Sequence, residues 1–240
     1  MSDPTTPHPV TKKARLNRDG VRNIAREIAH ILLHLVVLLA AAGEIGWINA
    51  WVMAGLGLVY QAVNTAVLWR FNPELLNKRG RLIHEDTKTF DKVFVAVYVP
   101  LGISISILCG LDAVRYGWSQ MPLAVILLGA VLFVLTSAFG MWAMAVNVHF
   151  EATVFIGKEQ RVCASGPYRI VRHPGYAAAI IGSISYPLIL GSWWGLMAVG
   201  SLIVLFVVRT ALEDRTLQKE LPGYRDYAEK TRYRLIPLVW

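Results

Sequence analysis

The sequence predicts an all-α, polytopic membrane protein with about six transmembrane helices, the last two forming a C-terminal helical hairpin. Three observations carry this. Of the 240 residues, 55% are hydrophobic and only 17% charged, where soluble domains carry about a quarter charged. The apolar residues cluster in blocks long enough to cross a bilayer, which takes about 20 residues in a helix. The cations fall almost entirely between alternate blocks.

The first block is 28–43, the second 48–69, the third 93–111 and the fourth 121–146. A fifth, 176–212, is too long for one crossing and contains Pro187 and a Gly191-Ser192-Trp193-Trp194 break. Paired tryptophans favour the membrane–water interface, so this block reads as two helices and a turn. With a cytoplasmic N-terminus, the inside segments are 1–27, 70–92, 147–175 and 209–240. They hold 23 of the 24 Lys and Arg residues, and Arg115 is the exception. The positive-inside rule predicts this asymmetry and places both termini in the cytoplasm. The net charge of +8 is then explained by topology and anionic membrane lipids, and no nucleic-acid partner is expected.

Residues 1–27 are polar and basic, without the short apolar stretch of a cleavable signal. They read as a cytoplasmic tail, mobile over 1–20. Residues 28–146 read as a four-span scaffold with an interfacial helical segment at 70–92, and 147–240 as the region that carries chemistry. Cys109 and Cys163 stand far apart, so neither a disulfide nor a metal site is expected. Glu74, Glu85 and Asp86 read as solvated acids.

Four constellations stand out. Gly166-Pro167-Tyr168-Arg169 leads into Arg172-His173-Pro174-Gly175-Tyr176. Pro174 suits the first turn of a helix, with His173 as the residue before it. Helix N-termini favour anions, and Arg169 and Arg172 add positive charge, so the stretch suits a carboxylate or phosphate. A basic headgroup anchor fits equally well. Second, Arg209 and Glu213 lie four apart on one helical face. Alone they read as a surface salt bridge, but the hairpin brings them back beside His173 and Tyr176. Third, the tail interleaves Tyr224, Tyr227 and Tyr233 with cations. It can cover a ligand or lie on the membrane as an amphipathic helix. Fourth, Glu27, His30 and His34 share a stripe of the first span. Histidines four apart can hold a metal or haem, but no second ligand pair is visible, so a polar stripe or helix–helix contact is the better reading.

The ordered set resembles the isoprenylcysteine carboxyl methyltransferase family, particularly its bacterial branch. It comprises the two pieces above, a hairpin, Arg209-x-x-x-Glu213-Asp214 and Gly223-Tyr224-x-x-Tyr227. The likeness covers about 147–240, and 72–92 also looks like bacterial members. It implies an integral-membrane methyltransferase of the bacterial inner membrane. Such an enzyme uses S-adenosylmethionine (SAM) without a Rossmann fold, and no Gly-x-Gly-x-x-Gly is present. By match, His173, Pro174, Gly175 and Tyr176 line the SAM site, Tyr168 and Glu213 contact SAM, and Arg209 lies at the methyl acceptor. Family members carry a Gln and then a His before Gly-Pro-Tyr. Here that stretch, 156–163, is shortened. Gln160 is a possible substitute, and backbone groups of Arg161, Val162 and Cys163 are expected at the cofactor.

The implied reaction takes a methyl group to a lipophilic small-molecule or lipid-linked acceptor. A carboxylate needs no base, only a cation such as Arg209 to orient it. An amine must lose a proton, with His173 as the candidate base. The alternatives are N-methylation of an ethanolamine phospholipid, an NADPH-dependent sterol-type reductase, and a non-catalytic lipid-binding protein.

Overall fold

The computed structural model describes residues 16–80, 87–150, 153 and 160–240. All regular structure in them is helical. Five helices are long and apolar enough to cross a membrane: α1 (Arg18–Ala42), α2 (Ile48–Phe71), α4 (Thr89–Gly110), α5 (Leu123–Val146) and α7 (Trp193–Glu220). Three are shorter: α3 (Pro73–Lys78), α6 (Pro174–Leu190) and α8 (Tyr224–Lys230). At 1.5 Å per residue α6 is roughly 25 Å long, near the lower limit for a crossing.

The hairpin forms where the sequence breaks. Gly191 takes the left-handed conformation (φ 79°) that ends α6, and Ser192 caps α7 by accepting from the Gly195 N–H at 2.8 Å. A buried acid fixes the turn from outside. Asp112, in the π-helical extension of α4, accepts from the Ser119 and Ser192 hydroxyls and the Trp194 N–H.

Two boundaries differ from the sequence reading, for one reason. The first span was expected from 28, but α1 starts at Arg18, inside the stretch read as a mobile tail. The Asn17 side chain caps it, accepting from the Gly20 N–H at 3.0 Å. Likewise α7 runs on to Glu220, beyond the expected end at 212. Hydropathy finds where a helix enters lipid, whereas hydrogen-bonded caps decide where it stops. In the segment 70–92, Asn72 ends α2 and caps α3. Its amide also donates to the Met144 and Asn147 carbonyls at 3.0 and 3.1 Å, tying this end of the bundle to α5. The rest of that segment includes Glu85 and Asp86, which lie outside the described residues, as do 1–15 of the tail.

Close packing is concentrated between α5 and α6. A Cβ on Gly129 would lie 2.7 Å from Leu188 Cβ, so this approach requires glycine. Gly140 faces Ala178, and Gly182 faces Thr136. Small residues allow this in membranes, where van der Waals contact drives helix association. The same side of α6, with Ala178, Ala179, Gly182 and Ser183, also lines a large cavity inside the bundle. The small residues therefore both permit the close approach and border the cavity.

Candidate functional site

The polar chemistry gathers at the end of the bundle where α6 begins and α7 ends. Gly166 (φ 56°) opens a 3-10 turn, Gly166–Arg169, whose Tyr168 is buried. Its hydroxyl accepts from the Asn147 amide at 2.9 Å. His173 then adopts a non-helical conformation (φ −123°, ψ 64°) and Pro174 starts α6, as the Pro spacing predicts.

Asp214 is the centre of this end. It is fully buried on α7 and accepts from six groups. Arg172 binds it through two nitrogens, at 2.8 and 3.1 Å. Arg234 Nε follows at 2.9 Å, Gln218 at 2.8 Å, the Tyr224 hydroxyl at 3.1 Å and His173 Nε2 at 3.2 Å. The remaining Arg172 amino group donates to the Thr231 and Arg232 carbonyls at 2.9 and 2.8 Å. The backbone joins in: Arg172 and His173 N–H groups donate to the Tyr233 and Arg234 carbonyls, both at 2.9 Å. The tail is thus fastened across the start of α6.

This corrects the expectation that Arg172 awaits an external anion. Arg172 is 7% exposed, and its guanidinium is used up on Asp214 and the tail. Arg169 is exposed. The sequence placed Asp214 in a motif but assigned it no task, because its partners come from residues 172, 173, 224 and 234.

Glu213, the preceding residue, faces a different environment. The Tyr176 hydroxyl donates to Glu213 Oε2, and His173 Nδ1 lies 3.7 Å from Oε1. The His173 and Tyr176 rings stack at 5.8 Å. Each His173 nitrogen therefore faces a carboxylate. This holds the ring in place and weakens the case for His173 as a base toward an acceptor amine.

These groups wall a polar cleft of about 120 Å³. Arg161, Val162, Cys163, Tyr168, His173, Gly175, Tyr176 and Glu213 all line it, with Gln160, Tyr224 and Tyr227. Pro174 is buried beneath as the first residue of α6, and residues 156–159 of the shortened stretch lie outside the described residues. The Tyr227 hydroxyl donates to the Tyr168 carbonyl at 2.7 Å, so the tail closes one wall of the cleft. Burial pushes the Tyr168 phenol up, against the Asn147 hydrogen bond. Burial and then the Asp214 carboxylate push Tyr224 up. Both phenols stay neutral, Tyr168 accepting from Asn147 and Tyr224 donating to Asp214.

Arg209 does not line the cleft. It lies behind Tyr176, 6% exposed, with its guanidinium 5.2 Å from that ring and 4.1 Å from the Phe94 ring. Its Nη2 is 2.7 Å from Oδ1 of Asp91, a fully buried acid in the first turn of α4. Asp91 escaped the sequence reading because it lies 118 positions from its partner.

The second cavity, about 480 Å³, lies inside the bundle and is lined mainly by apolar residues of α1, α2, α4, α5, α6 and α7. That is within the range of small-molecule sites. Phe150 and Gly175 line both cavities. A Cβ on Gly175 would come within 2.3 Å of the Phe150 ring, so the partition closes only because residue 175 has no side chain.

No individually curated protein matches the chain. Residues 124–222, from the first turn of α5 to just past α7, match the phospholipid methyltransferase family, of the integral-membrane methyltransferase clan that also holds the isoprenylcysteine carboxyl methyltransferases.

Proposed function

We propose that the protein is an integral-membrane, SAM-dependent methyltransferase that methylates a carboxylate on a lipophilic acceptor. One observation carries this reading: a polar cleft at the end of the bundle and an apolar cavity inside it meet at Phe150 and Gly175. A water-soluble methyl donor and a lipid-soluble acceptor need that arrangement. The family match over α5 to α7 supports methyl transfer over reduction or lipid binding alone.

The cleft suits SAM. Glu213 offers a carboxylate to a cationic group, and Tyr168, Tyr176 and Tyr227 make the lining aromatic, which favours a sulfonium. Val162, Leu217 and Leu221 supply apolar wall. Bound SAM supplies a methyl group on a positively charged sulfur. The rest is positioning. Tyr176 and His173 fix the Glu213 carboxylate. Arg209, held by Asp91 against the Phe94 and Tyr176 rings and lining neither cavity, sets a fixed positive charge behind Tyr176 that favours an acceptor carboxylate on the other side of that ring. The cation asymmetry supports a cytoplasmic cleft, and the resemblance to bacterial members supports a bacterial inner membrane.

The test is binding of S-adenosylhomocysteine to purified protein, with Glu213→Gln as control. Wild type is expected to bind. The variant should bind roughly 10- to 100-fold more weakly, the value of a hydrogen bond to a charged group. A folded wild type that does not bind overturns the reading. The family match favours a second acceptor, the amine of an ethanolamine phospholipid. Methyl-labelled SAM separates the two: an ester releases labelled methanol in mild base, whereas a methylated amine keeps its label.

A further inference from the structure

A chain of polar side chains crosses the apolar cavity at mid-bundle. His30 Nε2 and His34 Nε2 on α1 are 2.8 Å apart, and His34 Nδ1 is 2.7 Å from Ser106 Oγ on α4. Ser106 Oγ is in turn 2.7 Å from the Tyr186 hydroxyl on α6. His30, His34 and Tyr186 line the cavity, and fully buried Ser106 lies behind them. Contacts of this kind also hold helices together, at about 0.6–2 kcal/mol each. Helix glue, however, needs packed surroundings, whereas these rings border open space. Polar groups in a membrane interior mark ligand paths by default.

Ser106 has one proton, and two acceptors compete for it. If it goes to the Gly102 carbonyl at 3.1 Å, Ser106 accepts from the Tyr186 hydroxyl and His34 Nδ1–H, His34 Nε2 accepts from His30 Nε2–H, and the outer His30 nitrogen is an acceptor. If it goes to His34 Nδ1 at 2.7 Å, the relay reverses and the outer His30 nitrogen is a donor. A ligand hydroxyl, which both donates and accepts, satisfies that nitrogen in either arrangement; a ketone, which only accepts, satisfies it in one.

Position adds a length. Tyr186 is eleven residues beyond Gly175 on α6, so it lies roughly 16 Å deeper at 1.5 Å per residue. His30 is one turn nearer the cleft, leaving roughly 10 Å. We propose that the His30–His34–Ser106–Tyr186 chain is the specificity end of the acceptor cavity. It selects lipophilic acceptors that carry a hydroxyl roughly 10–16 Å from the methylated atom. The inference rests on the reading of this cavity as the acceptor site of a methyltransferase.

The experiment uses the full chain in lipid nanodiscs. Hexadecanoic acid and its mid-chain hydroxy and keto derivatives compete against a fluorescent fatty acid, and S-adenosylhomocysteine binding is measured on the same preparations. Wild type should bind the hydroxy acid about tenfold more tightly than the plain acid and no more weakly than the keto acid. His30→Leu should erase the preference, and Tyr186→Phe, which keeps the ring, should reduce it. Both variants should bind S-adenosylhomocysteine as wild type does. Equal binding of the three acids by wild type, or a preference unchanged in His30→Leu, overturns the proposal. With S-adenosylhomocysteine binding intact, either result leaves the methyltransferase reading standing. A hydroxyl preference in a wild type that binds no S-adenosylhomocysteine overturns the acceptor role together with that reading.

Discussion

Glu213 and Asp214 are neighbours on α7, and they serve two regions built on opposite rules. Around Asp214 every polar group finds a partner within the protein. One carboxylate draws together α6, α7, α8 and the tail through two arginines, a histidine, a tyrosine and a glutamine. Around Glu213 the side chains leave room, and a half-buried carboxylate faces a cleft lined by tyrosines. A step of one residue turns the helix by about 100° and takes the chain from framework to site. The framework makes the site possible, because the tail that carries Tyr227 to the cleft is fastened by Arg172 and Arg234.

The largest expected effect breaks the framework. Asp214→Ala leaves the buried Arg172 guanidinium, and the partly exposed one of Arg234, without their counter-charge, and breaking a buried pair costs about 3–5 kcal/mol. Thermal unfolding in detergent should show a large drop, and limited proteolysis should cut residues 221–240 first. An unchanged melting temperature with a protected tail would mean that Asp214 is not the anchor. Glu213→Gln, by contrast, should melt as wild type does.

Arg209→Ala probes the link between the two regions. It should abolish methyl transfer and spare S-adenosylhomocysteine binding, since Arg209 lies behind Tyr176 rather than in the cleft. It also strips Asp91 of its 2.7 Å partner, so some stability goes with it. Adding Asp91→Asn should restore melting but not transfer. If transfer returns with stability, Arg209 acts only as a structural partner of Asp91.

At the partition between the cavities, Gly175→Ala drives a methyl group into the Phe150 ring. Overpacking costs roughly 1–3 kcal/mol. Here the strain should appear in transfer, by about tenfold, because the displaced ring borders both cavities. The double change Gly175→Ala, Phe150→Leu should recover most of it. Loss of stability with no loss of turnover would remove Phe150 and Gly175 from the path.

What the sequence discloses and what it hides divide along the same line. Features set by neighbours in the chain were legible: the apolar blocks, the Gly191-Ser192 turn, the helix start at His173-Pro174 and the return of Glu213 to the His173 end. Hidden were the residues whose meaning depends on distant partners. Asp214 becomes an anchor only when residues 172 and 234 converge on it. Asp91 is an unremarked acid until Arg209 arrives from the far end of the chain. The His30/His34 pair was visible as a spacing, but Ser106 and Tyr186 extend it from two other helices, and neither carries a local signal. The expected anion site at Arg172 failed for the same reason: the anion it was built for is the protein's own.

The smallest effect is the sharpest test of how the framework shares its load. Tyr224→Phe removes one of the donors to Asp214, at 3.1 Å, and keeps the ring packed against Tyr227. Five donor atoms remain, three of them guanidinium nitrogens, so the carboxylate is not left bare. The loss should be that of a single hydrogen bond, about 1 kcal/mol. For a chain of this length that lowers melting by roughly 2–4 °C. S-adenosylhomocysteine affinity should change less than twofold, since the Glu213 carboxylate keeps its Tyr176 and His173 contacts. A larger loss of affinity than of stability would show that the Tyr224 hydroxyl, which also lies 3.4 Å from His173 Nε2, sets the histidine ring rather than the anchor. Tyr224 would then belong to the site, and the boundary between the regions would run through His173 instead of between residues 213 and 214.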